Sequence, residues 1–423
     1  MTSNNTYYIV TNEAESYQYH EIRTDNEIIL PTDKYVDGLN TFKGVYNDTV
    51  SRYYHTYLEG FDVYDLQHIF AHTTGPVYLR EATLPENDSK YKSIWCGYRT
   101  NMVVLGERYR LDDVATYKML EEKGAAIEPF YQKLLKYHSE SGNLKILEYL
   151  MFNHSFVKPD IAGLHALRFS AASGRLDAVQ YLTQPNLFEK KLDINIGSCI
   201  LVDAAKNGNI DVVKHLIENG AKPSCGYAFL CAIIHGHSDV AEYLAEFLDG
   251  NVGDLAETKK MAIELAVYWN RCSIVEFLIR LGVDIHAGEE ELLRIACSKG
   301  HFEMVKCLVK NGADIHINND EPLMRTVVKF HLSVVIYLLG QGANIKILTD
   351  ESLKYHKLCQ HKELEDYLIE KGANITKQID DGLAPGYTKI NPDGSTSCVL
   401  VMYDDPLERR YHQLSMWFVM KFG

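Results

Sequence analysis

The histidines at positions 235 and 237 are the most direct candidates for chemistry in this 423-residue chain. Imidazole nitrogens are common zinc ligands, and His235-Gly236-His237 places two of them around one glycine. A zinc site needs three or four protein ligands, however, and no third ligand lies nearby in the sequence. We therefore expect both histidines to have a structural role beside a turn.

The sequence lacks the familiar catalytic motifs. It contains no glycine-rich phosphate-binding loop, no G-x-S-x-G nucleophile motif and no H-E-x-x-H metal motif. An acidic cluster at Glu289-Glu290-Glu291 could hold calcium, or it could supply negative charge to the first turn of a helix, where the helix dipole favours it. We expect solvated first-turn charges. The sequence thus predicts no catalytic residue, no metal and no cofactor.

Composition places further limits on function. The net charge is −14 without a cluster of Lys and Arg, so direct binding to a nucleic-acid backbone is not expected. The nine cysteines are odd in number and form no C-x-x-C pair, which fits a reducing compartment. Met1–Thr6 does not resemble a secretion signal, and apolar runs such as Val334–Leu339 are far shorter than the ~20 residues of a membrane span. We expect a monomeric intracellular protein that does not enter a membrane.

A repeated pattern between residues 130 and 375 indicates how side chains are positioned. Segments such as N-G-N-I-D-V-V-K-H-L (207–216) and K-G-H-F-E-M-V-K-C-L (299–308) recur in register. We call the residue eight before the final leucine of each copy the anchor. The anchors are Gly142, Gly174, Gly208, Gly236, Asn270, Gly300, Phe330 and Gln360. Steps of 28 to 34 residues, with 30 for each of the last three, are typical of a protein whose repeats stack.

Each copy predicts a pair of helices that meet at the anchor. The segment after the anchor has apolar residues at anchor +2, +4, +5, +8 and +9, which is the spacing of one helix face. Leu308, at anchor +8, is therefore expected to be buried. Glycine fits the tight turn because it adopts a positive φ without steric cost. We expect at least one of Gly208 and Gly300 to have a positive φ or no room for a Cβ.

The regions on either side of the repeats differ in character. Before residue 110, where half of the 28 tyrosines lie, we predict strands at 7–10, 17–20, 77–80 and 102–105 and a helix at 62–71 with Asp62 as its N-cap. Near the other end, Asn391–Gly394 is a hairpin-type turn followed by a strand at Cys398–Tyr403. We divide the chain into a small α+β domain (1–110), an array of about eight helix pairs (111–375) and a tail that caps the array (376–423).

The helix–glycine–helix–Gly-Ala-Asp pattern resembles the ankyrin repeat from about residue 112 to 375. The resemblance implies a mainly α-helical solenoid that binds proteins and does not transform them. Two features differ from the usual pattern. The last three steps are 30 residues where about 33 is usual, and the Thr-Pro-Leu-His opening is reduced to Glu321-Pro322-Leu323-Met324. We expect the missing residues to come from the finger turns between repeats, so that the inner helices carry more of the recognition.

The N-terminal segment carries a second resemblance. Strings such as Tyr35–Thr41, Gln67–Phe70, Val77–Pro85 and Arg99–Gly106 are similar to the head domain of ankyrin-repeat proteins of giant amoeba-infecting (mimivirus-type) DNA viruses. This resemblance implies a protein that engages host or viral proteins in the cytoplasm of an infected host cell. Some viral ankyrin proteins also end in an F-box-like segment that recruits a ubiquitin ligase, and Asp404–Phe422 is where such an adaptor segment would lie.

An enzymatic alternative concerns the same head segment. Its strand-rich layout, with His20 and Glu81 on predicted strands, resembles small nicotinamide-dependent ADP-ribosyltransferase folds, in which a buried acidic residue orients the ribose. The competing interpretation makes Glu81 a surface residue on an edge strand and His20 a packed or exposed polar group. A likeness at the level of the fold is weak evidence for function, and we expect no catalysis.

The ankyrin resemblance also implies where a partner binds. In this family the two residues before the anchor lie at the end of the inner helix and point into a concave groove. Here they vary strongly in character, as expected of positions without packing duties; they are Lys206-Asn207, Ile234-His235, Tyr268-Trp269, Ser298-Lys299 and Val328-Lys329. Tyr268-Trp269 is the candidate hot spot, because Trp and Tyr dominate protein interfaces. Alternatively, Trp269 packs over the gap left where Asn270 replaces glycine.

Overall fold

The computed structural model describes part of the chain. The described residues are 7–11, 22–24, 27–29, 38–41, 61–71, 78–85, 91–94, 97–100, 102–195, 199–223, 226–248, 255–353, 361–376, 387–390 and 396–399. The chain divides into two compact units, Met1–Ile194 and Asn195–Gly423. The domain boundaries near residues 110 and 375 stay a prediction, because a compact unit can contain more than one domain.

The first unit begins with a seven-stranded antiparallel sheet. Its strands lie in the order β4-β9-β6-β1-β5-β8-β7. They are β1 (Tyr7–Thr11), β4 (Gly38–Thr41), β5 (Phe61–Tyr64), β6 (Tyr78–Thr83), β7 (Tyr91–Ile94), β8 (Gly97–Thr100) and β9 (Met102–Arg110), with β2 (Ile22–Thr24) and β3 (Glu27–Ile29) paired separately. The strands predicted at 7–10, 77–80 and 102–105 are confirmed, whereas 17–20 lies outside the described residues.

The sheet has an apolar core to which several of its strands contribute. The core side chains are Ile9, Val63, Ala82, Val103 and Leu105, with Tyr7, Leu84 and Tyr98 packed against them. Strand β6 carries an irregularity between Arg80 and Ala82 where it pairs with β9. The core thus draws on the central strands of the sheet.

The helix predicted at 62–71 is wrong. Strand β5 occupies 61–64 and pairs with both β8 and β1, and only a short 3-10 turn follows at Ile69–Ala71. Asp62 pairs with Arg99 in the strand, whereas Asp65 starts the turn, because its Oδ1 accepts a 2.9 Å hydrogen bond from the His68 backbone N–H. Cross-strand pairing outweighed the local pattern, as tertiary context often does.

Helices complete the first unit. They are α1 (Val114–Glu122), α2 (Tyr131–Ser141), α3 (Leu144–Phe152), α4 (Pro159–Ala172) and α5 (Leu176–Leu182). The pairs α2–α3 and α4–α5 meet at the predicted anchors Gly142 and Gly174. Helix α1 contacts the sheet region directly: Phe70 stacks on Tyr117 with ring centroids 5.5 Å apart, and Lys123 Nζ lies 2.5 Å from Glu81 Oε1.

The second unit continues the helix pairs. Its helices are α6 (Cys199–Lys206), α7 (Ile210–Glu218), α8 (Tyr227–His235), α9 (Ser238–Ala245), α10 (Leu255–Tyr268), α11 (Cys272–Arg280), α12 (Ala287–Lys299), α13 (Phe302–Lys310), α14 (Ile317–Val328), α15 (Leu332–Gly340), α16 (Asp350–Leu353) and α17 (Lys362–Glu370). With the two pairs of the first unit, they confirm the mainly α-helical repeat fold, whereas the last predicted anchor, Gln360, lies outside the described residues.

The second helix of each pair buries one face, as the sequence pattern predicts. In α13 the residues at anchor +4, +5 and +8 are Met304, Val305 and Leu308, and each has no exposed surface. Burial of Leu308 confirms the register. Residues at anchor +2 and +9, such as Phe302 and Val309, stay half-buried at the edges of this face.

One strand pair is described after the last helix. Strands β10 (Tyr387–Ile390) and β11 (Thr396–Val399) form an antiparallel pair, which agrees with the predicted hairpin, although its turn at 391–394 and residues 400–423 lie outside the described residues. Helices α4 and α10 have 14 residues each. Among the described residues we find no helix with the length and apolar character needed to span a bilayer.

Candidate protein-binding site

Two anchor glycines fix the ends of the inner helices. Gly208 and Gly300 have φ values of +74° and +69°, a region that side chains other than glycine rarely adopt. A Cβ on Gly300 would lie 2.5 Å from His331 Nδ1, and one on Gly208 would overlap the His237 ring. Both parts of the prediction for these turns are confirmed, because each glycine combines a positive φ with a crowded position.

The rings over these glycines come from the following repeat and bond back to the inner helix. His237 Nε2 lies 3.0 Å from the Lys206 carbonyl oxygen, and His331 Nε2 lies 3.0 Å from that of Ser298. Arg271 replaces the histidine in one repeat and donates to the Ile234 carbonyl at 2.9 Å. These bonds satisfy carbonyls at the inner-helix ends, which have no partner within the helix. They therefore hold in place the residues predicted to face a partner.

The histidine pair at 235 and 237 is structural. His235 Nδ1 lies 3.0 Å from the Cys231 carbonyl within its own helix, whereas His237 bonds to the preceding repeat. The two rings therefore serve different backbone carbonyls. Burial lowers the pKa of His235, which favours its neutral form.

The predicted contact residues differ in exposure. Trp269 is 38% exposed, which meets the condition for a hot spot, and Asn207 and His235 are also exposed. The half-buried members are Lys206, Tyr268, Lys299, Val328 and Lys329. Ile234 and Ser298 are buried, so these two have little surface to offer a partner. Asn270 adopts the left-handed turn itself with φ of 58°, so it takes the place of the anchor glycine without a break in the turn.

Tyr268, Trp269 and Lys299 form a compact cluster. The rings of Tyr268 and Trp269 meet edge to face with centroids 5.6 Å apart. Lys299 Nζ lies 4.4 Å from the Tyr268 ring centroid and 3.4 Å from its hydroxyl oxygen. A cation over an aromatic face is attracted by the electron-rich ring. The cluster therefore presents an indole beside a positioned ammonium group.

A second charged cluster joins helices α12 and α14. Glu321 accepts from Arg325 Nε at 2.7 Å, and its other oxygen lies 3.1 Å from Arg294 Nε. Burial alone would raise the pKa of Glu321, but the hydrogen bond and charge of Arg325, with the charge of Arg294, hold it below its usual range. Two guanidinium groups therefore share the Glu321 carboxylate.

The finger turns between the last repeats are short, as the 30-residue spacing indicates. At the start of α12, Gly288, Glu289 and Glu290 all have positive φ, and at the start of α14 Asn318, Asn319 and Asp320 do the same. These left-handed residues form a kink before the right-handed part of each helix. Left-handed backbone costs roughly 1–2 kcal/mol for most residues and less for Gly, Asn and Asp, so other contacts must stabilise these turns.

Paired side chains stabilise each finger turn. His286 Nδ1 lies 2.6 Å from Glu290 Oε1, and His316 Nδ1 lies 2.8 Å from Asp320 Oδ1. The hydrogen bond with Glu290 raises the pKa of His286. Asp320 also accepts from the Asn344 N–H of the next repeat at 3.0 Å. The carboxylate thus links the turn to its neighbour.

The expectation for the acidic cluster at 289–291 is wrong for Glu290. Glu290 is 5% exposed and its backbone is left-handed, so it is not a solvated first-turn charge. The missed signal lies in the repeats: D-I-H-A-G-E-E (284–290) and D-I-H-I-N-N-D (314–320) place Asp, His and an acid at matching positions.

Glu81 lies on an interior strand, so its placement on an edge strand is wrong. Strand β6 has β9 on one side and β1 on the other. The Glu81 carboxylate binds Lys123 at 2.5 Å and accepts from the Tyr109 hydroxyl at 3.3 Å. His20 lies outside the described residues.

Comparison with protein families settles what the helix pairs are. A family model for ankyrin repeats matches three overlapping segments, 134–227, 201–289 and 286–350, which together cover just over half of the 423 residues. The chain belongs to the ankyrin repeat family. Ankyrin repeats generally mediate protein–protein interaction.

Its relatives include ankyrin repeat proteins of Acanthamoeba polyphaga mimivirus. The protein L797 is 25% identical over 229 residues, which cover 51% of this chain and 46% of L797. The mimivirus protein R869 is 29% identical over 154 residues, or 34% of this chain and 96% of R869. The chain spans about half the length of L797 and of a further mimivirus relative, L675.

A solved structure of the human ASB11 ankyrin repeat domain is also similar. It is 26% identical, covers 43% of this chain and 85% of its own, and superposes with a TM-score of 0.35. The resemblance of the N-terminal segment to a viral head domain stays a prediction.

Proposed function

We propose that this chain is an interaction scaffold that binds a host or viral protein through the concave groove of its ankyrin repeats. It acts as a monomer in the cytoplasm of an infected host cell, without catalysis and without contact to nucleic acid or membrane. The observation that carries the proposal is the exposed indole of Trp269 (38% exposed) on a repeat framework whose other large apolar side chains mostly pack inward. Such an indole is typical of an interface hot spot.

The geometry around Trp269 supports a binding role. Its backbone belongs to a helix end that the following repeat holds in place: His301 Nδ1 lies 3.2 Å from the Val267 carbonyl. Tyr268 packs against the indole edge to face. A preorganised aromatic side chain loses little conformational entropy on binding, which favours affinity.

The experiment compares two alanine variants of the full chain. Partners are recovered from infected-cell lysate on the immobilised protein, and the affinity of each purified partner is then measured. Trp269→Ala should weaken binding by at least about 2 kcal/mol with little change in thermal stability. Ile336→Ala, which removes an exposed side chain from the outer helix α15, is the control and should bind normally. An alanine variant at 269 that melts early yet binds normally would assign the indole to the fold.

The alternatives have less support. Glu81 is bound by Lys123 and Tyr109, which favours a structural role over ribose binding. Incubation of the full chain with labelled NAD should yield neither hydrolysis nor transfer of the label. Either reaction would support the ADP-ribosyltransferase hypothesis. The ubiquitin-ligase adaptor hypothesis depends on Asp404–Phe422, which lies outside the described residues.

A further inference from the structure

The groove positions of the second unit carry a charge opposite to that of the chain. In the five described copies of this unit, the two positions before the anchor hold three lysines and no carboxylate. The whole chain has 57 acidic against 43 basic residues. The row of inner-helix ends is therefore locally basic on an acidic protein.

The basic character is strongest beside Trp269. Lys299 and Lys329 occupy the same position as Trp269 in the next two repeats, and the Tyr268 ring 4.4 Å away positions the Lys299 ammonium group. At the other end of the row, Asp203 lies one helical turn before Asn207 and weakens the effect there.

We propose that the occupant of this groove is an extended acidic segment of a partner protein with an apolar side chain packed on Trp269. The inference rests on the proposed function and names its partner class. Complementary charge guides partner choice and association more than it adds raw affinity. An acidic peptide touches only the basic row, whereas a long nucleic acid would also meet the repulsion of the net charge of −14.

Repeat geometry sets the spacing of the partner's side chains. Packed helices lie about 8–10 Å apart, and an extended chain advances about 3.3 Å per residue. About three partner residues therefore span one repeat. A segment with its apolar residue at Trp269 should place acidic residues three and six positions away, opposite Lys299 and Lys329.

In the test, random linear peptides displayed on phage are selected on the immobilised chain. The affinities of labelled synthetic peptides of the selected sequences are then measured. We expect acidic residues at intervals of three beside an apolar residue. Lys299→Glu should weaken these peptides by about tenfold, with a loss that shrinks as salt rises. Lys310→Glu on the outer helix α13 is the matched control and should bind normally. Lys329→Glu repeats the test at a second site should Lys299→Glu lower the melting temperature.

Charge exchange makes the test specific. Peptides whose glutamates are replaced by lysine should bind the Lys299→Glu variant better than the parent protein. If neutral or basic peptides are selected and still require Trp269, the partner is not acidic, although it binds in the groove. Peptides indifferent to Trp269→Ala would instead reject the groove itself. If a single-stranded oligonucleotide binds the parent protein and binds Lys299→Glu more weakly, the partner is a nucleic acid and not a protein.

Discussion

At the scale of single residues, the turns between helices depend on left-handed backbone. Most anchors use glycine, but Asn270 and Phe330 hold the same conformation with φ of 58° and 64°. Phe330 gains a compensating contact, because its ring stacks on His361 with centroids 3.8 Å apart. The turn is thus a property of the repeat, and the residue at the anchor adapts to it.

Gly300→Ala should destabilise the protein by more than the usual cost of left-handed alanine, roughly 1–2 kcal/mol. The added Cβ would also meet the His331 ring, which cannot move without losing its bond to the Ser298 carbonyl. Gly220→Ala is the control, because Gly220 has a φ of +98° but no atom within 4 Å of a Cβ. Chemical denaturation measures both variants. Equal losses would mean that crowding at Gly300 contributes nothing.

His138 should make the first unit sensitive to acid. Its ring is buried, with Nε2 2.7 Å from the Tyr117 hydroxyl, and burial lowers its pKa to about 4 from 6.5. Between these two pH values the unfolded chain binds a proton that the folded chain excludes. The contribution of neutral His138 is therefore fully present above about pH 6.5. As the pH drops to about 4, the free energy of unfolding falls by roughly 3 kcal/mol.

Urea denaturation of the parent and His138→Gln from pH 7 to pH 4 measures this effect. The glutamine variant should lose less stability over this range, although it begins less stable because the imidazole contacts change. Parallel curves for the two proteins would show that other groups cause the acid sensitivity.

At the scale of elements, the finger turns show how a 30-residue repeat closes. A carboxylate recurs at 290, 320 and 350, and the aspartates accept from the backbone of the next repeat: Asn344 N–H at 3.0 Å and Thr376 N–H at 2.8 Å. Glu290 Oε2 is buried without a hydrogen-bond partner among the described residues. Because glutamate is one methylene longer than aspartate, the Glu290 carboxylate lies in a different place from that of Asp320.

Glu290→Asp should therefore stabilise the protein by about 1 kcal/mol, the value of a typical hydrogen bond. The shorter side chain can accept from the Asp314 N–H, the counterpart of Asn344, and aspartate also tolerates left-handed backbone better. Asp320→Glu is the reverse control and should lower the melting temperature. A lower melting temperature for Glu290→Asp would show that the longer side chain is needed for the bond to His286.

The helix pairs could be predicted because the spacing of their apolar residues indicates which face is buried, as at Met304, Val305 and Leu308. The strand at 61–64 could not, because Val63 is buried through pairing with strands distant in sequence. Glu290 was missed for a different reason: glutamate has no preference for left-handed backbone, so only the repeat alignment reveals it. Trp269 was found, but its exposure follows from packing, which sequence leaves open.

At the scale of the whole molecule, the first unit joins a sheet to repeat helices. Phe70, which has no exposed surface, stacks on Tyr117 of α1, and Lys133 of α2 donates to the Ala71 carbonyl. The end of a repeat stack needs a cover for its apolar face. The 3-10 turn at 69–71 supplies part of that cover.

Phe70→Ala should cost about 3–5 kcal/mol, the range for a buried phenylalanine. The loss should reach beyond the sheet, because the Tyr117 ring loses its stacking partner. Hydrogen exchange should therefore show lower protection for amides of both β6 and α1. Phe152→Ala is the control, since Phe152 is 40% exposed and should cost much less. Unchanged protection of α1 would mean that the sheet and the helices unfold independently.

The equal spacing of the last repeats has a consequence for how the gene can change. Asp284, His286 and Glu290 have counterparts at Asp314, His316 and Asp320, so the two copies share their turn as well as their helices. Recombination between the matching codons would remove or duplicate one unit of thirty codons. The helices on either side would still be joined by the same type of turn. Such an event would lengthen or shorten the basic row by one side chain, so partner preference can change without a substitution in the hydrophobic core.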